Sequence, residues 1–240
     1  MVGDSLMVVG FDGCPQGWIG CLWRGPGHEP AVAFLRFLVA ADSELPTDVR
    51  VVAVDIPLGL QDIATPGGRR SDRPARKLLG LRGSSVFSPP ARTALRATNH
   101  AEATRLNRLS GPDAPGISIQ AFGIFPKLRD AEEALAGSAW LRERTIEVHP
   151  EVCFATMAGG PLINSKKRAE GRDERRQLLH KHGFVDIAKF ELSARFHGAA
   201  ADDALDACAA AWTAWRRAHG SAQCLPPDAD GPDHWMRIWY

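Results

Sequence analysis

Two apolar segments, each ending in an aspartate, constrain this chain more than any other feature of its sequence. They are VVGFD, which ends at Asp12, and VVAVD, which ends at Asp55. Continuous apolar runs of this kind are typical of strands buried on both faces of a sheet. If the two strands are parallel neighbours, their terminal carboxylates lie about one strand spacing apart, roughly 5 Å. Carboxylates at that distance repel each other, so the pattern predicts a positive group between them, and a divalent metal ion is the simplest one.

Each aspartate also has a simpler explanation when it is taken alone. Asp12 is followed by Gly13, a pair typical of turns, and Asp55 comes two residues before Pro57 at the end of a strand. Most aspartates at strand ends serve such turns and caps. The repetition of the pattern is what favours a shared site.

The composition limits the classes of protein to which the chain can belong. Its 240 residues are 45% hydrophobic and 24% charged, with a formal net charge of +1, which predicts a soluble globular protein with a single domain over residues 1–240. So small a net charge argues against a protein that coats nucleic acid, although local basic patches can still bind it. The five cysteines are scattered and none is in a CxxC motif, which argues against a zinc site or a disulfide framework. No apolar segment approaches the ~20 residues of a membrane span, so we expect a cytoplasmic protein without a membrane partner.

The order of the elements predicts an α/β fold with a mixed sheet flanked by helices. The first strand is followed by WIGCLWR and AVAFLRF, which predict an antiparallel meander. A short helix over LVAADSEL then leads to the strand ending at Asp55, which a crossover connection places parallel to the first strand. Residues 61–140 predict a helical insertion or cap, in which SIQAFGIFPKLRDAEEAL has helical spacing. The aromatic end, HWMRIWY, predicts an added edge strand.

A basic segment opens this insertion and holds almost no acid. Its sequence is GRRSDRPARKLLGLRGSSVFSPPAR, in which Asp72 is the single acid. In one interpretation its arginines and serines bind phosphates. In the other, Asp72 and nearby carboxylates pair with the arginines and stabilise the cap. Together with the basic run that begins at Lys166, the candidate phosphate-binding residues are Arg73, Arg76, Arg82, Ser84, Ser85, Lys166 and Lys167.

Further acids lie towards the end of the chain. Asp203 and Asp206 stand three residues apart in DDALDACAAA, so both can project from one face of a helix whose alanines allow close packing on a sheet. Glu147 lies within a predicted strand, where it is a metal ligand, a surface residue or an arginine partner. His149 follows that strand and either assists product release or caps the helix that starts at Pro150; the cap is the favoured interpretation.

This order of elements and acids resembles the ribonuclease H-like fold. The segment DALDACAAA resembles the last helix of the Holliday-junction resolvases in that superfamily. Over nearly its full length the chain also resembles domain-of-unknown-function family 429, described as predicted nucleases of ribonuclease H fold. The segments that carry this resemblance are GFDGCPQGW, VDIPLGL, GRRSDRPARKLLGLRGSSVF, SIQAFGIFPKLRDAE, EVHPEV, KKRAEGR and DDALDACAAAWTA.

The resemblance implies a metal-dependent nuclease or phosphodiesterase that uses Mg²⁺ or Mn²⁺. It implies that Asp12 bridges two ions and that Asp55 adds a ligand from the adjacent strand. Asp203 or Asp206 then completes the set from the late helix, and Glu147 is an additional candidate. Two ions held in this way activate water and stabilise the leaving oxygen of a phosphodiester.

The chain departs from ribonuclease H itself, and two other functions fit the same residues. Ribonuclease H has a glutamate on its first helix, where this chain offers only Asp42 and Glu44. A nucleotide-binding phosphotransferase or ATPase of the same fold is one alternative, although 240 residues are few for its two duplicated domains and no later glycine-rich phosphate loop is present. A non-catalytic binding module, in which the acids are structural, is the other; it predicts weak metal binding and no change of activity in Asp12→Asn.

Overall fold

A computed structural model of the chain describes residues 6–227 and 235–240, and a seven-stranded sheet forms its centre. The strands are β1 (Met7–Cys14), β2 (Gly17–Trp23), β3 (Ala31–Leu35), β4 (Val49–Val54), β5 (Thr145–Val148), β6 (Cys224–Leu225) and β7 (Ile238–Trp239). The α helices are α1 (Ala41–Glu44), α2 (Asp72–Leu79), α3 (His100–Leu109), α4 (Ile119–Gly123), α5 (Phe125–Gly137), α6 (Ala139–Arg144), α7 (Pro150–Ala158), α8 (Ala169–Lys181), α9 (Ile187–Arg195) and α10 (Ala201–Ala218). Short 3₁₀ helices cover Leu38–Ala40, Gly80–Ser85 and Arg92–Arg96.

The sheet is mixed, and its strand order is β3-β2-β1-β4-β5-β7-β6. The first three strands form the predicted antiparallel meander. Strands β1, β4, β5 and β7 are parallel neighbours, and β6 runs antiparallel to β7. The predicted α/β fold is therefore confirmed, and its mixed sheet flanked by helices is consistent with a ribonuclease H-like fold.

Two predicted elements differ in the structure. The single helical segment over SIQAFGIFPKLRDAEEAL is divided into α4 and α5, because Ile124 leaves helical geometry and Pro126 lies in the first turn of a new helix. The predicted edge strand at the aromatic end contains His234, which lies outside the described residues, and β7. Since β7 lies between β5 and β6, it is an inner strand and β6 forms that edge of the sheet.

Alternate residues of the central strands face two separate cores. Val8 and Val51 belong to a core on the side of α7–α10, whereas Val9 and Val52 belong to a core on the side of α3–α6. The pleat of a strand causes this alternation. Because helices cover both faces, the central strands are apolar throughout, which explains the uninterrupted hydrophobic runs in the sequence.

Helix α10 packs unusually close to β1. A Cβ atom on Gly10 would lie 2.1 Å from the backbone nitrogen of Ala211 and 2.5 Å from the carbonyl oxygen of Ala207. No side chain fits between these two backbones, and the buried alanines of α10 allow the approach. The predicted close packing of the alanine-rich helix is confirmed, and it places the first turns of α10 beside the end of β1.

The chain between β4 and β5 contains α2–α6, in the region where the helical insertion was predicted. Helices α3–α6 cover the sheet face opposite α10, whereas α2 packs against α7 and β6. Within residues 6–227 and 235–240, no helix combines the length and apolar character needed to cross a membrane.

Candidate metal centre

Asp12 and Asp55 lie side by side where two parallel strands end. In the register of β1 and β4, Gly10 is paired with Ala53, and the amide of Asp55 donates to the carbonyl of Phe11 at 2.9 Å. Asp12 follows Gly10 by two residues, and Asp55 follows Ala53 by two residues. Both carboxylates therefore point to the sheet face that α10 covers.

Asp206 of α10 supplies a third carboxylate. It is fully buried, and it precedes Ala207, whose backbone packs against Gly10. Carboxylate oxygens of Asp12, Asp55 and Asp206 all lie within 4.8 Å of one another. The structure thus brings together two strand-end acids and one acid of the last long helix, which we call the acidic cluster.

Burial and mutual repulsion raise the pKa values of all three carboxyl groups. Burial raises the pKa of Asp12 well above its ordinary value, and the charges of Asp55 and Asp206 raise it further. Burial and then Asp206 raise the pKa of Asp55 to about 8. Burial also raises the pKa of Asp206 to about 6, although Lys166 opposes that shift. Near neutral pH the acidic cluster therefore retains protons unless a cation replaces them.

Lys166 already contributes one positive charge to the acidic cluster. Its ammonium group donates a hydrogen bond to Oδ2 of Asp206. Burial favours the neutral amine, but Asp206, Asp12 and Asp55 outweigh it and raise the pKa of Lys166 above its ordinary value. One ammonium group cannot balance three ionised carboxylates. Lys166, a candidate for phosphate binding, thus lies among acids in the free protein.

The loop that carries Lys166 is held in place by α8. The fully buried Arg175 donates to the carbonyl oxygen of Asn164 at 3.3 Å. A Cβ atom on Gly171 would lie 2.0 Å from the carbonyl oxygen of Ser165, so the loop and α8 are in direct backbone contact. Both contacts are made by the two residues that directly precede Lys166, so α8 helps to hold this lysine beside the acidic cluster.

The residues of the acidic cluster fit a hard divalent cation. Mg²⁺ and Mn²⁺ prefer oxygen ligands, and the cluster offers three carboxylates. Among the described residues, no group donates to the buried Oδ1 of Asp206, and such an acceptor costs free energy unless a cation or water reaches it. The 4.8 Å spread of the ligand oxygens is slightly wider than the roughly 4.2 Å across one Mg²⁺. A shift of about 0.6 Å in the ligand oxygens would close that difference.

Asp203 lies outside the acidic cluster. Its Oδ2 accepts a hydrogen bond from the amide of Ala200 at 2.9 Å, so it caps the start of α10. Asp202, buried on the same turn, pairs with Lys167. The first turns of α10 therefore use one aspartate as a cap and one in an ion pair, and they place Asp206 in the cluster.

Glu147 is an arginine partner, one of the alternatives open for a glutamate in this strand. It is paired with Val54 in the register of β4 and β5, so its side chain lies on the sheet face opposite the acidic cluster. Arg69, 2% exposed, donates to its two oxygens at 2.5 and 2.8 Å and to Asp72 at 2.8 Å. Burial lowers the pKa of Arg69, but these two carboxylates outweigh it and raise that pKa. Both carboxylate oxygens of Glu147 therefore accept hydrogen bonds from Arg69. Asp72 also pairs with this arginine, as the second interpretation of the basic segment predicts.

His149 precedes α7 at the capping position, but its side chain makes no capping hydrogen bond. Its Nε2 lies 3.3 Å from the carbonyl oxygen of Ser85, and since a carbonyl only accepts, Nε2 carries the proton. Within residues 6–227 and 235–240 the buried Nδ1 has no partner. Burial lowers the pKa of His149, so the ring is neutral and Nδ1 is an acceptor. His149 therefore lies at the predicted capping position, but it does not form the predicted capping hydrogen bond.

Two arginines of the basic segment hold its own loops. Arg73 donates to the carbonyl oxygen of Pro66 at 3.0 Å. Arg76 donates to the carbonyl oxygen of Val86 at 2.7 Å. These contacts stabilise the insertion, but their acceptors are backbone carbonyls and not the carboxylates that the sequence suggested.

A cleft of about 410 Å³ opens over the acidic cluster. Asp12 and Asp55 line it, whereas Asp206 lies behind them and Lys166. The candidate phosphate-binding residues that line the cleft are Arg82, Ser85, Lys166 and Lys167. For the part of the chain that the structure describes, the lining residues do not include Arg73, Arg76 or Ser84.

Lys127 of α5 also lines the cleft, and the sequence did not point to it. Its ammonium group donates to the carbonyl of Gly17 and lies 4.8 Å from the centre of the Trp18 ring. Its side chain passes 3.5 Å from the position of a Cβ on Gly13, the residue after Asp12. Burial lowers the pKa of Lys127. Since 110 residues separate it from Gly17, no local sequence pattern could have indicated this placement.

A family model described as "Protein of unknown function (DUF429)" matches residues 10–231. The match includes the acidic cluster, the insertion and the loop that carries Lys166. No curated protein and no solved structure matches the chain.

Proposed function

This chain belongs to the family of proteins of unknown function DUF429, and we propose that it is a nuclease or phosphodiesterase that depends on Mg²⁺ or Mn²⁺. The observation that carries the proposal is the meeting of three carboxylates within 4.8 Å below a cleft. One oxygen of this cluster is buried and has no hydrogen-bond donor among the described residues. A divalent ion bound there supplies a lowered pKa for coordinated water and positive charge beside a phosphate.

The protein's own residues have three tasks in this reaction. Asp12, Asp55 and Asp206 provide the ligand oxygens, and Asp55, whose pKa is raised to about 8, releases its proton when the ion binds. An ion that neutralised Asp206 would free the ammonium group of Lys166 from its hydrogen bond to that carboxylate. Lys166 lines the cleft, where a phosphate oxygen could accept that hydrogen bond instead. Lys127 offers a second ammonium group beside Asp12.

Metal binding tests the first half of the proposal. Calorimetric titration with Mn²⁺ is compared for the wild type, Asp12→Asn, Asp206→Asn and Asp203→Asn. We expect the first two variants to lose about tenfold or more in affinity, since each removes a ligand. Asp203→Asn is the matched control, because that residue caps α10 outside the cluster and its variant should bind as the wild type does. Equal binding by all four proteins would show that the acidic cluster is not the metal site.

Hydrolysis tests the second half. Single-stranded and double-stranded DNA and RNA and small phosphodiesters are incubated with the wild type and with Asp12→Asn in Mg²⁺ or Mn²⁺. We expect cleavage by the wild type and its loss in the variant, with Asp203→Asn retaining it. Cleavage that survives in Asp12→Asn marks a contaminating nuclease and counts against the proposal.

A non-catalytic binding module is a second candidate because Lys166 already pairs with Asp206. In that case the lysine is the permanent counter-ion of the cluster and no metal is needed. The titration separates the two candidates, since a module of this kind binds Mn²⁺ only weakly and equally in the wild type and in Asp206→Asn.

A further inference from the structure

Building on the proposed hydrolysis of phosphodiesters, we propose that the cleft accepts a single nucleotide-sized phosphodiester unit. Such a unit comes either from a small nucleotide ester or from the end of a single strand. A base-paired duplex or an uninterrupted strand is excluded. The proposal rests on the size of the cleft, on a contact that joins its walls, and on the chemistry of its lining.

The size of the cleft suits a small ligand. Its volume of about 410 Å³ lies within the roughly 300–1,000 Å³ of pockets that bury small molecules. The helical insertion forms one wall through Val86, Phe87 and Ile124, and the loop Ser165–Lys167 contributes to the other. Asp12 and Asp55 are reached from between these walls, so a phosphate must enter the cleft to meet them.

The two walls are joined at Arg82. This residue lines the cleft from the 3₁₀ helix Gly80–Ser85. Its guanidinium group donates to the carbonyl oxygens of Leu162 at 3.3 Å and Ile163 at 2.6 Å, just before the Lys166 loop. A polymer that passes through a groove needs both ends of the groove to be open. Because Arg82 bridges the walls, the cleft favours a ligand that enters from one side and ends inside it.

The lining combines cations with an apolar surface. Lys127, Lys166 and Lys167 carry the positive charge that a phosphate requires. Phe87 is 38% exposed and offers an aromatic ring on which a base can stack. A nucleotide needs both kinds of contact, because it has a charged phosphate at one end and a flat base at the other.

Two residues that line the cleft each have a buried polar atom without a hydrogen bond to another described residue. Oγ of Ser85 and Nδ1 of His149 have no hydrogen-bond partner within the described chain, and both residues line the cleft. The serine hydroxyl both donates and accepts, and the histidine nitrogen accepts. A sugar hydroxyl or a base N–H group can donate a hydrogen bond to the histidine nitrogen, and either can also pair with the serine hydroxyl.

Binding and hydrolysis are tested separately, so that failure of the hydrolase proposal does not hide the result. Thymidine 5′-monophosphate is titrated calorimetrically into the wild type, Phe87→Ala and Phe37→Ala, with and without Mn²⁺. We expect Phe87→Ala to weaken binding about fivefold or more, since it removes the stacking surface. Phe37→Ala is the control, because that ring is 58% exposed and does not line the cleft. No binding, or equal binding by the three proteins, overturns the proposal.

A comparison of hydrolysis with different substrates distinguishes the two sources of the nucleotide unit. With Mn²⁺ present, the p-nitrophenyl ester of thymidine 5′-monophosphate, a linear single strand, a circular single strand and a circular duplex are compared. Cleavage of the small ester alone identifies a free nucleotide ester, and stepwise release of mononucleotides from the linear strand identifies a strand end. Comparable cleavage of either circle overturns the proposal while supporting the hydrolase. Nucleotide binding that is sensitive to Phe87→Ala, without hydrolysis of any substrate, supports the cleft assignment and refutes the hydrolase.

Discussion

Lys166 donates a hydrogen bond to Asp206, the one carboxylate of the acidic cluster that is not among the residues lining the cleft. The lysine therefore stands between the cleft and a predicted metal ligand. A cation that binds all three carboxylates has to displace it. This single contact links metal binding, proton release and the availability of Lys166 to a phosphate.

Replacing Lys166 with methionine should tighten Mn²⁺ binding. The substitution removes the ammonium group that competes for Asp206 while retaining an unbranched side chain in the loop. We expect a gain of about tenfold in affinity by calorimetry, because a close buried charge pair contributes on the order of 1.5 kcal/mol or more. Lys167→Met is the control, since Lys167 is 74% exposed and pairs with Asp202 outside the cluster. Weaker binding in Lys166→Met would show that the lysine supports the metal site.

The stability of the metal-free protein should fall as the pH rises from 5 to 9. Asp55 has a pKa raised to about 8 and Asp206 one raised to about 6, whereas in the unfolded chain both ionise near pH 4. The folded state thus holds protons that the unfolded state lacks, and this stability is lost as the pH rises through the folded pKa values. Thermal unfolding of the wild type and Asp55→Asn measures the effect, and the variant should show the shallower dependence. A wild type that is more stable at pH 9 than at pH 5 contradicts the prediction.

Binding of Mn²⁺ at pH 7 should release at least one proton per ion, because the ion replaces the protons of carboxyl groups whose pKa values are raised in the folded protein. Asp55, with its pKa of about 8, is one such group, and Asp12, whose pKa is raised well above its ordinary value by burial, is another. Calorimetry in buffers of different ionisation enthalpy measures the number directly. The number should fall between pH 7 and 9 as Asp55 ionises, and a constant number over that range would exclude Asp55 as a source of the protons.

Arg69→Met should strongly destabilise the fold. The substitution leaves Glu147 and Asp72 buried without the cation that pairs with both, a change that costs about 3–5 kcal/mol. Arg70→Met is the control, because Arg70 is exposed and surface changes usually stay within about 0.5 kcal/mol. Urea unfolding of the two variants measures the difference. Equal stability would mean that Glu147 does not depend on Arg69.

Gly10→Ala should separate α10 from the sheet. The added Cβ meets the backbone nitrogen of Ala211 at 2.1 Å, and because neither backbone can give way, we expect a loss on the order of 3 kcal/mol. Gly123→Ala is the control, since a Cβ there meets no described atom within 4 Å. The shift of α10 should also reduce Mn²⁺ affinity, because α10 carries Asp206. An unfolding midpoint equal to that of the control contradicts the close packing.

Much of the fold follows from local sequence patterns. The meander, the parallel placement of β1 and β4 and the close packing of the alanine-rich helix were all predicted correctly from periodicity, turn residues and residue size. The adjacency of Asp12 and Asp55 follows from the same signals. Side chains alternate between the two faces of a sheet, so Asp12 lies on the same face as Gly10 and Asp55 on the same face as Ala53. This alternation assigns both carboxylates to the face that α10 covers.

The remainder of the site depends on contacts between distant parts of the chain. Asp203 and Asp206 are equivalent in the sequence pattern, and the contact of α10 with Gly10 decides which one meets the strand-end aspartates. The rotation of a helix about its axis is set by packing on the sheet and not by its own periodicity. In the same way, the partner of Glu147 is decided by the register of β5 beside β4.

Local sequence patterns are enough to predict that this chain forms a mixed sheet with two aspartates at the ends of neighbouring strands. Hydrophobic periodicity and turn residues act over a few positions, so they can be recognised without a structure. The completion of the acidic cluster by Asp206 and its partial neutralisation by Lys166 depend on three-dimensional packing. Both depend on how closely two backbones approach, which in this protein is possible because Gly10 and Gly171 carry no side chain.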